Sequence, residues 1–308
     1  MFGSPQIKRG NEQISIQRRK DLALLIYLAL TSRPQSRDTL ATMLWQDQTQ
    51  TEARSNLRKS LSRLKLLLGE VSIITTQDQV RLNPNLSIDL DIARFQQQIQ
   101  QFKKHGHVRN DSIPHLCEEC QTALETAVAL YKADFLQTFS LPDSSAFEEW
   151  QFFQSENLRQ NLAEALEHLI HQCTYTGAYS TGIEYGRRWL ALDRFHEAAH
   201  KQLMILYALN SQYAAAIRQY EECARMLKEE LGVQPETDTL KVYEAIRRKK
   251  IHELLEVSKE SKTPARYEQS PKKSLASQPK TRHNLPVHST PFVARENELK
   301  AIAHLMKE

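Results

Sequence analysis

The sequence is poor in the residues that mark several large classes of protein. Glycine accounts for only 8 of 308 residues and the charged fraction is an ordinary 25%, which excludes a collagen-like or wholly disordered chain. The apolar run over residues 22–30 is too short to cross a membrane, and residues 1–10 contain no apolar core of the signal-peptide kind. Together with only 4 cysteines, these absences predict a protein of the reducing cytoplasm that does not span a membrane.

Signatures of catalysis and cofactor binding are also lacking. The histidines and carboxylates do not form a nucleophile, base and orienting set along the sequence. Cys117 and Cys120 have the C-x-x-C spacing, with His115 two residues before them, but no second ligand pair follows at zinc-finger spacing. We interpret these as structural cysteines, and His105 and His107 as solvated loop residues. The expectation is a protein that is not an enzyme and needs neither a cofactor nor a metal.

Basic residues are concentrated at the two ends of the chain. Residues 1–91 contain 13 Lys and Arg against 9 Asp and Glu, and residues 251–308 contain 10 against 7. Residues 92–250 contain 18 against 21 and are mildly acidic. The middle of the chain is therefore a poor candidate for a nucleic-acid surface, and the first 91 residues are the better one.

The helix predicted over residues 53–68 has two chemically different faces. Alanine and leucine recur on one face at the helical period, and Gly69 is placed to end the helix. The other face combines cations and small hydroxyls without an acid, which suits a polyanion, because Arg and Lys neutralise phosphates and Arg can pair with guanine. A solvated face of a core helix is the alternative. The residues of the polar face are Ser55, Arg58, Lys59, Ser62 and Arg63.

The elements around this helix follow the order of a winged helix–turn–helix. A hairpin over residues 6–16, a helix over 19–31 and a helix capped by Ser36 precede it, and a hairpin over 72–82 follows. In that fold the third helix enters the major groove and the last hairpin lies beside it. The predicted DNA-binding residues are Arg54, Ser55, Arg58, Lys59, Ser62, Arg63 and Lys65 on the helix and Gln77, Gln79 and Arg81 on the wing. Arg54 and Lys65 lie at the sides of the helix.

The chain after residue 91 reads as helical and contains an internal repeat. Residues 177–179 and residues 211–213 both end in a tyrosine, and the two tyrosines are 34 residues apart. Gly182 corresponds to Ala216 at the same separation. This period is the tetratricopeptide signature of stacked helical hairpins. The fold class predicted is mainly α with a small β component, a winged helix–turn–helix followed by a tetratricopeptide-like repeat. The predicted boundaries are 1–91 for the winged helix, 92–255 for the helical domain, 256–290 for a flexible linker and 291–308 for the start of a further domain.

Five segments carry a resemblance to a known family: residues 18–25, 40–45, 53–65, 89–91 with Phe95, and 231–236. Through them, residues 1–250 resemble the Streptomyces antibiotic regulatory protein family, in which an OmpR-type winged helix precedes a bacterial transcriptional activator domain. The resemblance implies an activator that binds promoter direct repeats as a dimer and contacts RNA polymerase. The chain begins almost at Phe2-Gly3 of the family's first strand, so part of the N-terminal sheet is expected to be missing.

The C-terminal end resembles the start of a STAND-type nucleoside triphosphatase domain, but Ala294 stands where a glycine is usual. No phosphate-binding loop follows, so we expect no ATP binding by this chain.

A second interpretation is a tetratricopeptide module that binds proteins and not specific DNA. Its concave surface would place Tyr179, Tyr185, Tyr213 and Tyr220 around a peptide. Packing between the hairpins explains the same tyrosines, and we favour it. The sequence thus predicts a sequence-specific regulator of promoter DNA, with the protein-binding module as the alternative.

Overall fold

The computed structural model describes residues 1–31, 33–105 and 116–253 of the chain. The predicted linker at 256–290, the ATPase-like start at 291–308, His107 and His115 lie outside the described residues. The strands are β1 (Ile7–Arg9), β2 (Glu12–Ile14), β3 (Gln35–Ser36), β4 (Ile73–Thr75) and β5 (Gln79–Leu82). The helices are α1 (Arg19–Thr31), α2 (Arg37–Leu44), α3 (Gln50–Leu68), α4 (Asp91–Lys104), α5 (Glu118–Leu130), α6 (Ser145–Thr176), α7 (Tyr179–Leu192), α8 (Glu197–Leu209), α9 (Tyr213–Met226) and α10 (Thr237–Arg247).

This architecture confirms the predicted fold class, a winged helix followed by helical repeats. In the first part, β4 and β5 form the antiparallel wing hairpin. The sequence did not reveal β3, which pairs with β5 through only two residues and makes the sheet three-stranded in the order β3-β5-β4. A strand of two residues has no periodicity of its own, because its pairing depends on a partner more than 40 residues away in the sequence.

The helix α3 begins at Gln50, three residues before its predicted start. Thr49 and Glu52 form a capping box: the Thr49 hydroxyl accepts from the Glu52 amide, and the Glu52 carboxylate accepts from the Thr49 amide. That T-x-x-E pattern is the sequence signal for the true start. At the other end, Gly69 has a φ of 103° and donates its N–H to the Lys65 carbonyl, so its predicted role as the stop is confirmed.

The apolar face of α3 forms the centre of the winged-helix core. Leu57, Leu61 and Leu64 are each less than 5% exposed, and they lie in one cluster with Leu40 of α2 and Val80 of β5. Burying side chains of this size stabilises the domain by about 1.5–3 kcal/mol each. The polar face of α3 is consequently directed away from the core.

The helices α6 to α9 form two successive antiparallel hairpins, as the 34-residue repeat predicts. Turns at Gly177 and Ser211, both with a left-handed φ, precede helices that begin at Tyr179 and Tyr213. Gly182 of α7 lies so close to α8 that a β-carbon there would come within 2.9 Å of a Leu206 methyl. The small residue at this repeat position is therefore needed for the close contact between helices.

The winged helix and the helical domain are packed together within one compact unit that contains all the described residues. Phe2 packs edge-on against Phe95 at 5.5 Å between ring centroids, and Tyr27 packs against Trp150 at 5.0 Å. Ser144 precedes α6 but makes no side-chain cap; its buried hydroxyl instead donates to the Leu44 carbonyl at 2.9 Å. The serine hydroxyl therefore joins the two domains.

None of the helices in the described part of the chain combines the length and apolar character needed to cross a membrane.

Candidate nucleic-acid interface

The exposed strip of α3 consists of Arg58, Lys59 and Ser62. All three residues are exposed on the side opposite the buried leucines, with Arg58 and Lys59 adjacent and Ser62 about one turn further along the helix. Neither the Arg58 nor the Lys59 side chain makes an ion pair or hydrogen bond with any residue in the described ranges. We call these three residues the α3 strip. Its two cations are available to an external anion without first breaking a contact inside the protein.

Arg63, predicted on the same face, is held by an acid of α1. Its Nε and Nη2 donate to the two carboxylate oxygens of Asp21 at 2.6 and 2.7 Å, and Nη2 also donates to Ser60 Oγ at 3.0 Å. The Asp21 side chain is only 5% exposed, whereas that of Arg63 is 37% exposed. The hydrogen bonds to Asp21 raise the pKa of the Arg63 guanidinium above its usual value. Arg63 thus ties α3 to α1, and its predicted contact with DNA stays a prediction.

Arg54 makes a similar pair at the other end of α3. Its Nε and Nη2 donate to the Asp38 carboxylate of α2 at 2.5 and 2.6 Å. Both side chains are about half exposed, Arg54 at 56% and Asp38 at 46%. The hydrogen bond from Arg54 lowers the pKa of Asp38, so the pair remains charged well below neutral pH. Within α3 the one acid is Glu52 of the first turn, whose carboxylate accepts hydrogen bonds from Thr49 in the capping box, and the neighbouring helices supply Asp21 and Asp38.

The wing residues predicted to contact DNA are all exposed. In β5, Val80 points into the core while Gln79 and Arg81 point outward, as the alternation of a strand requires. Gln77 lies in the turn of the hairpin and is also exposed. Ser55 is half-buried on α3, and Lys65 is half-buried with its Nζ 3.3 Å from Thr75 Oγ1 of β4. Lys65 therefore connects α3 to the wing.

Sequence reasoning missed the residues that fix these elements relative to one another. The Arg37 amide donates to the Asp78 carbonyl at 2.8 Å, and its Nε donates to the Thr76 carbonyl at 3.1 Å. These contacts hold the wing turn against the start of α2. Asp21, Asp38 and Arg37 gave no local signal, because each partner lies 16 to 42 residues away.

The tyrosines of the alternative peptide surface are half-buried and packed against the core: Tyr179, Tyr185, Tyr213 and Tyr220. Tyr220 is stacked on Tyr243 of α10 with ring centroids 3.9 Å apart. This contact agrees with the packing interpretation of the tyrosines.

Residues 90–247 match the family model of the bacterial transcriptional activator domain. The chain belongs to this family. The match extends from the residue before α4 to the last residue of α10, so the activator domain comprises all the helices from α4 onward named above. Membership of this family supports a transcriptional activator rather than an enzyme.

One solved structure similar to this activator is that of Mycobacterium tuberculosis EmbR in complex with a low-affinity phosphopeptide. The TM-score is 0.60 at 20% identity, and the alignment covers 84% of this chain and 69% of that chain. At this identity the likeness shows the fold, a winged helix followed by helical repeats. A comparison with curated protein sequences gave no match. The family and the fold together support the resemblance to the Streptomyces antibiotic regulatory proteins.

Proposed function

We propose that this chain is a sequence-specific DNA-binding regulator, an activator that binds direct repeats in promoters and contacts RNA polymerase. The observation that carries the proposal is the α3 strip, in which Arg58 and Lys59 are exposed without an acid partner in the described part of the chain. In a winged helix the third helix enters the major groove, where Arg pairs with guanine and Lys neutralises phosphate. The exposed wing residue Arg81 would reach the adjacent backbone.

The ion pairs of α3 support this assignment of roles. Arg54 and Arg63 bind acids of α2 and α1 and thereby fix the orientation of the helix. A recognition helix has to be held rigidly, because a bidentate contact with a base tolerates little displacement. We therefore assign direct DNA contact first to Arg58 and Lys59, and positioning to Arg54 and Arg63. The helical domain would then contact polymerase and the second subunit of a homodimer.

The test is DNA binding by the full chain and by the double variant Arg58→Ala/Lys59→Ala. The DNA is a promoter fragment recovered by genomic footprinting, with a scrambled duplex of equal length as competitor. If both cations contact phosphates, the slope of log affinity against log salt should fall by about 2 in the variant. If Arg58 reads a base, the preference for the promoter fragment should fall by about 1–3 kcal/mol.

The matched control is Lys132→Ala/Arg218→Ala, which removes the same charge from two exposed positions. Lys132 lies in the connection between α5 and α6, and Arg218 lies in α9. This control should keep the affinity and the salt slope of the unmodified chain. Equal affinities for all three proteins would overturn the proposal. Binding that does not depend on salt would favour the protein-binding module, since phosphate neutralisation releases counterions.

A further inference from the structure

Three metal-ligating side chains meet where α4 ends and α5 begins. His105 is the residue that ends α4, and Cys117 is the residue that precedes α5. His105 Nδ1 lies 3.1 Å from Cys120 Sγ and 3.2 Å from Cys117 Sγ. All three donor atoms lie within 4.8 Å of one another.

These separations fit the donor set of a tetrahedral zinc ion. With Zn–S near 2.3 Å and Zn–N near 2.0–2.1 Å, a tetrahedral angle places the nitrogen about 3.6 Å from each sulfur and the sulfurs about 3.8 Å apart. The observed nitrogen–sulfur distances are shorter than this by no more than about half an ångström. A small rotation of the side chains therefore suffices to admit the ion.

The local backbone is also suited to a thiolate pair. The C-x-x-C spacing at the start of a helix brings both sulfurs to one side, and the Cys120 amide points at Cys117 Sγ with an N–S distance of 3.5 Å. An N–H directed at a sulfur stabilises its thiolate form. His105 would bind through Nδ1, the nitrogen nearest both sulfurs, and keep its proton on Nε2.

The cluster is accessible from solvent. His105 and Cys120 line a cavity of about 400 Å³, which is also bordered by Glu119 and Lys104. His105 is exposed, Cys117 is half-buried and Cys120 is buried. An ion can thus enter from the cavity.

We propose that His105, Cys117 and Cys120 bind a zinc ion that joins the end of α4 to the start of α5. Two thiolates and an imidazole favour zinc over the harder magnesium and calcium ions. Binding converts both thiols to thiolates with release of two protons and involves no change of oxidation state. Water completes the coordination. The site goes beyond the proposed DNA binding and does not depend on it.

The first experiment measures zinc in the full chain after purification under reducing conditions without chelator. We expect about one zinc per chain, and its loss in Cys117→Ser/Cys120→Ser. The control is Cys173→Ala, which removes a cysteine of α6 outside the cluster and should keep the metal. An equal zinc content in the double variant, or no zinc in any of the proteins, would overturn the proposal.

A second measurement starts from the unmodified chain and does not depend on folding of the cysteine double variant. Metal-free, reduced protein is titrated with Co²⁺, and the thiolate-to-cobalt absorption is followed. His105→Ala alters an exposed side chain, so it should fold and yet lose more than the roughly 10–100-fold in affinity that removal of an outer contact causes. The absence of a thiolate-to-cobalt band would contradict the site. A Cys117–Cys120 disulfide that forms with dissolved oxygen as the oxidant, despite added zinc, would contradict the site and assign the pair to redox chemistry instead.

Discussion

At the scale of single residues, the arginines of α3 divide into those that bind acids of the protein and those that do not. Arg54 and Arg63 each make a two-point contact with a carboxylate, whereas Arg58 makes none with the described residues. A basic helix face in a sequence therefore overstates the charge offered to DNA. The acids that pair with these arginines lie on other helices, so a helical projection of α3 alone does not show them.

The two ion pairs differ in burial, which gives a stability prediction. Arg63→Ala leaves the carboxylate of Asp21, 5% exposed, without its guanidinium partner. An unsatisfied buried acceptor costs about 1–3 kcal/mol in free energy of unfolding. Arg54→Ala removes a two-point contact between half-exposed side chains and should cost less than Arg63→Ala, because solvent screens the pair. Urea unfolding of both variants checks this.

The double variant Asp21→Asn/Arg63→Ala separates the charge from the packing. It removes the buried negative charge together with its partner, so part of the stability lost in Arg63→Ala should return. An equal loss in the free energy of unfolding for Arg63→Ala and Arg54→Ala would show that the burial of Asp21 does not contribute to stability.

At the scale of elements, the close contact between α7 and α8 depends on two glycines. A β-carbon at Gly186 would lie 2.7 Å from a methyl and 2.8 Å from Cγ of Leu203. Gly186→Ala gains about 1 kcal/mol of helix propensity. It also forces the buried Leu203, 1% exposed, to move, and such overpacking costs about 1–3 kcal/mol. Because Cγ is a branch point and cannot swing aside alone, we expect net destabilisation.

The matched control for Gly186→Ala is Thr181→Ala, an exposed position of the same helix. It gains helix propensity without a new contact and should stabilise slightly or have no effect. Thermal unfolding followed by circular dichroism compares the two. A higher melting temperature for Gly186→Ala than for Thr181→Ala would mean that the two helices can separate at no cost.

Local signals account for the elements that the sequence predicted correctly. The apolar run and its flanking polar residues predicted α1 with its observed bounds, and Gly69 predicted the end of α3. The 34-residue repeat predicted the hairpins because each copy of the turn is formed by residues that are consecutive in the sequence. In contrast, β3 and the contact of His105 with Cys117 are formed only after distant segments meet. The two cysteines had the spacing of a metal site, and the third ligand was visible only in the fold.

At the scale of the whole molecule, the winged helix and the activator domain share buried contacts. The aromatic pairs Phe2–Phe95 and Tyr27–Trp150 cross the junction, and Lys20 pairs with Asp143 at 2.7 Å. Such contacts couple the two domains energetically, so a change in one alters the stability of the other. Such coupling is the physical requirement for a partner bound on the helices to influence the helix that we propose to bind DNA.

The hydrogen bond from Ser144 to the Leu44 carbonyl tests this coupling. Ser144→Ala leaves a buried carbonyl at the end of α2 without that donor, so we expect a loss of about 1–3 kcal/mol. If the domains unfold together, the transitions followed by tryptophan fluorescence and by circular dichroism should shift by the same amount. Ser145→Ala is the control, since the hydroxyl of Ser145 also crosses the junction, to Gln46 at 2.7 Å, but at an exposed position. Separate transitions in Ser144→Ala would mean that the two domains fold independently, and the winged helix would then not sense what the activator domain binds.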